Sequence, residues 1–376
     1  MSTDLSQTRL VYIAPRVGIG GVGDFAEAFV DAVRSHFADV VEYRHGGPGD
    51  DSVSDLRRHS AAIRKLVAEA PGGRVLVHAE LSGGAVVPFW ATAKLPDHVP
   101  VTATVHDPPH PIWWPARTRF MAQHWLLNHA VHFPFRRVSY AVQRKWLRAT
   151  TLFVLTESGA QSIRPAYPHA RVVRVPHQVA DRPDIRPPEQ RPLAIGLFGL
   201  VYRGKGFEQI GALRKLLPPE IGIRVAGRGT EDLPRIDGID VVGGIEGDAE
   251  DAFFESVRVI VMPYGKRSPY GMGYPSSAVM AHAVAYGTPV ICTDHGALGD
   301  LGEDEGVVVL RGLSHEPEDV AAAFADAVTA LVDDEAKLAT LGEQVLVQRK
   351  ARSAAEIAKA FTTVWSELLD SSKVTG

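Results

Sequence analysis

Several short stretches of this chain combine glycines, cations and a histidine in patterns that could bind and polarise an anionic substrate. The first is Val17-Gly18-Ile19-Gly20-Gly21-Val22-Gly23-Asp24, separated by Arg16 from the apolar run LVYIAP. Glycines there allow backbone N–H groups to approach a ligand, and a following helix start favours negative charge. Gly18, Gly20 and Gly23 also satisfy G-x-G-x-x-G, with Glu42 19 residues after Gly23. That spacing resembles a dinucleotide fingerprint, but Pro15-Arg16-Val17 separates the strand from the first glycine. A tight turn with no ligand is the plainer alternative. The second stretch is His106-Asp107, closing the run VTATVHD before Pro108-Pro109. A histidine at a strand's carboxyl end can donate a hydrogen bond or move a proton.

Two further cradles lie in the second half. Gly199-Leu200-Val201-Tyr202-Arg203-Gly204-Lys205-Gly206 ends one strand and opens a helix, so Arg203, Gly204 and Lys205 form a candidate phosphate site. It is not a P-loop, because Gly206 rather than Ser or Thr follows Lys205. The strand VIVMPYG leads through Lys266-Arg267 and Gly271-Met272-Gly273-Tyr274-Pro275 to Ser276-Ser277, either of which is expected to cap the next helix. Two anion cradles in one domain suit a diphosphate.

These motifs need a scaffold that presents loops at strand ends. Strand-like runs at Leu10–Ala14, Val40–Arg44, Arg74–His78, Val101–His106, Thr151–Thr156 and Arg171–Val175 alternate with helical patterns. The rhythm restarts at Leu193–Phe198, Ile221–Ala226, Ile239–Val242, Val257–Met262, Pro289–Thr293 and Gly306–Leu310. Continuous apolar strands separated by helices imply parallel sheets covered on both faces. The fold expected is α/β: two doubly wound Rossmann-like domains facing a central cleft. Residues 1–180 form the first domain, 181–192 an exposed proline-rich linker (DRPDIRPPEQRP), and 193–345 the second. Residues 346–376, with an amphipathic helix over Ala354–Leu369, are expected to pack back on the first domain.

The order of these elements resembles the retaining GT-B glycosyltransferases of the large family 4 group. The matched pieces are Gly20-Gly21-Val22-Gly23-Asp24, His106-Asp107, Lys205-Gly206, Gly227 to Gly229, and Ala283-x-Ala285-x-Gly287-Thr288-Pro289 leading to Thr293-Asp294. The resemblance implies donor or acceptor contacts at Gly20 and Gly21, a sugar contact at His106, and a hold on the donor diphosphate by Lys205. It also implies a sugar-phosphate cradle around Gly273 and Ser276-Ser277. Two departures stand out. Leu200 follows Gly199 where the family often has Arg, so Arg203 is expected to compensate. The family's paired glutamates are missing, with Tyr274 and His282 at their positions.

The expected activity is hexosyl transfer from a nucleotide-diphosphate sugar, such as a UDP- or GDP-sugar, to a glycan or lipid-linked acceptor. Retention is implied by the resemblance. No D-x-D motif is evident, so no metal and no separate cofactor are expected, with Arg203 and Lys205 supplying positive charge. An epimerase or hydrolase of the same fold, and a non-catalytic sugar-nucleotide or glycan binder, are the alternatives.

Bulk composition agrees with an ordinary globular chain: 376 residues, 45% hydrophobic, 22% charged, net charge −4. That balance gives no reason to expect nucleic acid. The lone Cys292 excludes internal disulfides and is read as a buried apolar residue. The N-terminus lacks signal-peptide character, which with the single cysteine leads us to expect a cytoplasmic protein. Charge is uneven, however: no acid occurs between Asp107 and Glu157. That segment interleaves Arg117, Arg119, Arg136, Arg137, Arg144, Lys145 and Arg148 with Trp113, Trp114, Phe120, Trp125, Phe133, Phe135, Tyr140 and Trp146. Cations among aromatics suit an anionic membrane surface or a lipid-linked acceptor, which would make the protein peripheral at the inner membrane face. The alternative is a helical excursion with core aromatics and solvated arginines.

Overall fold

The computed structural model describes residues 5–148, 150–265, 272–314 and 316–374. It contains two compact units. The first comprises Met1–Gln178, Gly273–Ser276 and Ala354–Gly376; the second comprises Val179–Met272 and Ser277–Ser353.

Each unit is built on a six-stranded sheet in which every described pairing is parallel. In the first, β1 (Arg9–Pro15), β2 (Asp39–His45), β3 (Val75–Leu81), β4 (Val101–Val105), β5 (Thr151–Val154) and β6 (Arg171–Arg174) run in the order β2-β1-β3-β4-β5-β6. In the second, β7 (Ala194–Phe198), β8 (Gly222–Ala226), β9 (Ile239–Gly243), β10 (Val259–Met262), β11 (Val290–Thr293) and β12 (Val307–Leu310) run β12-β11-β10-β7-β8-β9. All twelve expected strands are therefore present, and the α/β reading of two Rossmann-like domains holds. The strand order reverses at β1/β3 in the first sheet and at β7/β10 in the second. Loops leaving the carboxyl ends of strands at such switch points are where open α/β sheets bind ligands.

Local chemistry accounts for the helices. Ser52 and Asp55 form a reciprocal capping box at the start of Val53–Ala68. Thr156 caps Glu157–Ala166 by accepting from Gly159 N. The helix that follows β1 begins within the glycine-rich turn, at Gly20, and runs to Arg34. Asp24 then reaches back, and its Oδ1 accepts from Gly18 N at 3.0 Å.

Residues 181–192 are exposed at most positions, as expected of a linker, but they are anchored at Arg191. Arg191 is only 2% exposed, and its guanidinium donates to Arg186 O, Thr288 Oγ1 and Tyr286 O at 2.6, 2.8 and 3.0 Å. Arg186 pairs with Glu255, and Asp184 with Arg349. A polar, proline-rich run carries no apolar periodicity, yet its cations here satisfy buried carbonyls and stitch it into the second unit.

The last helix, Ala354–Val374, belongs to the first unit and buries Ile357, Phe361, Val364 and Trp365. Phe361 stacks on Phe153 at 4.0 Å and meets the edge of Phe29 at 4.6 Å. Residues 346–351, expected with this helix, instead complete Glu335–Ala351 of the second unit.

Candidate functional site

In the first unit, His106 follows β4 and its side chain is 10% exposed. Its Nε2 lies 2.6 Å from Glu80 Oε2, and the edge of its ring meets Phe25 at 5.1 Å. Glu80 is fully buried in β3. Burial by itself would raise its carboxyl, but hydrogen bonds from His106 and His78 outweigh that and hold it well below the usual carboxylate range. Asp107 has a more structural place than its position beside His106 implied. Its Oδ2 accepts from Gly83 N at 2.8 Å, tying the loop after β3 to the loop after β4.

The glycine-rich turn divides by function. A Cβ on Gly23 would sit 2.3 Å from Arg16 O, so that glycine is required by packing. Gly20, at φ +65°, and Gly21 would meet nothing within 4 Å. These two leave open backbone at the end of β1, beside the switch point. The dinucleotide alternative loses its acidic partner: Glu42 is engaged by Arg44 at 2.6 Å and by Arg34.

In the second unit, Lys205 is mostly buried, and its Nζ donates to Tyr264 OH at 2.5 Å. The same ammonium lies 3.9 Å from the Tyr264 ring centre and 5.2 Å from that of Tyr202. Tyr264 leaves β10 and Lys205 leaves β7, so the pair spans the switch point. Gly204 (φ +85°) and Gly206 (φ +81°) make the turn possible. Gly206 also lets it close onto the end of β10, since a Cβ there would meet Pro263 O at 2.3 Å. Ser277 Oγ stands 3.3 Å from Tyr264 OH. It occupies the N-cap position of Ala278–Ala285 but makes no side-chain capping bond, contrary to expectation. Tyr264 thus links a cation to a hydroxyl, and it was missed because nothing but its place at a strand end marks it.

Other candidates are placed differently. Arg203 is exposed and lines an apolar cavity of about 380 Å³ with Tyr202, Phe207, Ile210, Leu233 and Val241. Gly227, at φ +127°, is structural: a Cβ would stand 2.1 Å from Gly199 O. Gly273 and Ser276 cluster with the first unit rather than the second, the neighbouring Tyr274 donating to Pro108 O and accepting from Thr156 Oγ1, each at 2.8 Å. His282 sits on the helix Ala278–Ala285, with Nδ1 2.6 Å from Glu250 Oε1. Glu250 in turn accepts from Arg182 at 3.1 Å. Lys266, Arg267 and Gly271 lie outside the described residues. Cys292 is fully buried, and burial pushes its thiol up to about 12, as befits an inert core residue.

Among the described residues no group of three or more His, Cys, Asp or Glu side chains could hold a metal ion. No described helix is long and apolar enough to cross a membrane.

Comparison with known proteins bears on both units. The family model for glycosyl transferases group 1 matches residues 200–334, the span that carries Lys205, Tyr264, Ser277 and His282. A search of curated proteins finds no sequence match. Among solved structures, sucrose-phosphate synthase from Thermosynechococcus elongatus aligns with a TM-score of 0.70 at 14% identity, covering 97% of this chain and 100% of that one. HepE from Anabaena, in complex with UDP, aligns at 0.64 and 12% identity, covering 96% and 100%. A glycosyltransferase from Rickettsia africae aligns at 0.65 and 10% identity, covering 96% and 98%. The fold of these glycosyltransferase structures is thus matched along nearly the whole chain, and residues 200–334 match the model for glycosyl transferases group 1.

Proposed function

We propose that the protein transfers a hexose from a nucleotide-diphosphate sugar to a glycan or lipid-linked acceptor, the second unit holding the donor and the first the acceptor. The observation that carries this reading is Lys205, fixed on Tyr264 at the β7/β10 switch point, where an ammonium would neutralise a departing diphosphate. Two solved structures of one similar protein add support, since HepE is described in complex with UDP and with UDP-glucose.

In the proposed reaction the bond from the sugar's anomeric carbon to the diphosphate breaks, and a bond to the acceptor oxygen forms on the same face. The acceptor's proton passes to the leaving phosphate oxygen. Lys205 stabilises the charge that grows there, while His106 orients a sugar through a hydrogen bond. Arg203 adds positive potential from the exposed side of the turn. These side chains supply the charge a metal would otherwise supply, so a chelator is expected to leave turnover unchanged. A panel of UDP- and GDP-sugars, read by thermal shift and then by product formation, tests the donor class. No stabilisation and no product across the panel would overturn it. Free sugar or an epimer formed without acceptor would favour the hydrolase or epimerase reading.

The acceptor side has its own observation. In the acid-free segment, Trp146 packs on Phe89 and Trp90, and Tyr140 is half-buried. Phe120, Trp125, Leu126, Phe133, Phe135 and Val138 stay exposed, at 58–68%. Exposed large apolar groups among Arg136, Arg137, Arg144 and Lys145 match an anionic lipid surface better than bulk water. Co-sedimentation with vesicles containing phosphatidylglycerol should fall as salt rises. Absence of binding at low salt would remove the membrane from the proposal.

A further inference from the structure

The proposed reaction uses His106 but none of the buried groups behind it. Glu80 accepts at Oε1 from Tyr12 OH at 2.7 Å and faces His78 Nε2 at 3.2 Å; its Oε2 faces His106 Nε2 at 2.6 Å. An ionised carboxylate only accepts, so the His106 nitrogen that faces it carries a proton.

The protons of His78 can be assigned in the same way. Its Nδ1 lies 2.8 Å from Thr102 Oγ1, which accepts from Trp365 Nε1 at 3.0 Å. An indole N–H can only donate, so the hydroxyl's own proton is left to give away. His78 Nδ1 at 2.8 Å is a better acceptor position than Val77 O at 3.5 Å. His78 therefore accepts at Nδ1 and carries its proton on Nε2, within reach of Glu80 Oε1 at 3.2 Å and Thr104 Oγ1 at 3.0 Å. A neutral His78 leaves the short bond to His106 as the main imidazole contact of Glu80. The chain of bonds begins on the last helix, which gives Trp365 a polar role beside its packing.

We propose that Glu80 is a positioning residue for His106, holding the proton on Nε2 so that the neutral ring offers Nδ1 alone, as an acceptor for a substrate hydroxyl. Phe25 supports the orientation by meeting the ring at 78°. The second-row carboxylate thus decides what the histidine can recognise: an O–H group, which it can accept from, rather than an ether or ring oxygen, which it cannot. This deepens the reading that His106 meets a sugar, and rests on it.

The test is ¹⁵N NMR of the full chain labelled at histidine, with the His106 signals assigned by their loss in His106→Gln. In the wild type at a pH where the ring is neutral, Nε2 should be protonated and Nδ1 not. In Glu80→Gln the tautomers should mix, because an amide can donate as well as accept. Its kcat should fall by about tenfold or more with donor KM within about twofold, the usual cost of losing a partner that orients a histidine. A neutral wild-type ring protonated at Nδ1 would overturn the proposal, as would a Glu80→Gln protein with unchanged His106 signals and unchanged kcat. The wild-type spectrum decides the question even if that variant does not fold. Full activity in His106→Ala would overturn the substrate contact instead, without touching the tautomer result.

Discussion

Both units offer loops at the carboxyl ends of their strands but support them by opposite means. Behind His106 the first unit buries side chains that must all be satisfied: Glu80, His78, Tyr12, Thr102 and Thr104, closed off by Trp365. In the second unit the turn that carries Lys205 is shaped by backbone, with Gly199, Gly204, Gly206 and Gly227 at positive φ and two loops in direct contact. A buried polar network fixes proton positions and is costly to leave half-made. A glycine-shaped turn fixes N–H directions and leaves a cation to do the electrostatics. The first arrangement suits recognition of hydroxyls, the second neutralisation of a diphosphate.

The largest expected effect breaks the first arrangement at its edge. Trp365 is fully buried against Phe37, His78 and Phe361, so Trp365→Ala should cost about 3–5 kcal/mol. Calorimetry should show the loss in the transition of the first unit. Equal destabilisation of the second unit would contradict the separation drawn above. Lys205→Ala tests the other side. It should lower kcat/KM by about 10²–10³, the scale of one preorganised charge donor, and change thermal stability little. Near-normal kcat/KM would remove Lys205 from the diphosphate role.

The contrast also explains what could be read from the chain before its structure. Strand runs such as RVLVH and VIVM are apolar enough to announce a parallel sheet, and their order gave two Rossmann-like units. Lys205 stood out because cation and glycines are adjacent in sequence. Glu80 did not, since a single acid inside an apolar strand has partners 68 and 26 residues away, on β1 and after β4 respectively. Arg191 was hidden similarly: a guanidinium in a proline-rich run reads as solvated until Tyr286 O and Thr288 Oγ1 are seen around it. Gly227, one of the glycines matched in the resemblance, is required by loop contact, which a sequence cannot distinguish from a glycine kept for a ligand.

A smaller effect sharpens the comparison through pH. His45, 1% exposed at the end of β2, meets Gly46 O through Nδ1, while its buried Nε2 has no partner. A second proton would have no acceptor, and burial pulls the imidazole down to about 4. The folded value lies below the unfolded one of about 6.5, so the stabilisation is complete above that pH and is lost as pH falls towards 4. By pH 5 the loss should reach about 2 kcal/mol. Glu80 has the same sign, its contribution fading only below the ordinary carboxylate range. Denaturant unfolding at pH 7.5 and pH 5 should show a weaker first unit, and His45→Asn should flatten that dependence. An unchanged slope would mean the ring is not held neutral.

The smallest effect on stability carries the sharpest functional reading. Gly21 has an ordinary helical backbone at the start of Gly20–Arg34, and a Cβ there would meet nothing within 4 Å. Neither strain nor packing requires glycine, and alanine is the better helix former by up to about 1 kcal/mol. Gly23, two residues on, is the opposite case, with Arg16 O at 2.3 Å from the added atom. Gly21→Ala should therefore leave the folding free energy within about 0.5 kcal/mol or raise it. If substrate lies against this backbone, the added methyl group should raise KM for donor or acceptor while thermal stability holds. Unchanged kinetics for both substrates would make the open glycine an accident of the turn, and the first unit's contribution would then rest on His106 and the buried carboxylate behind it.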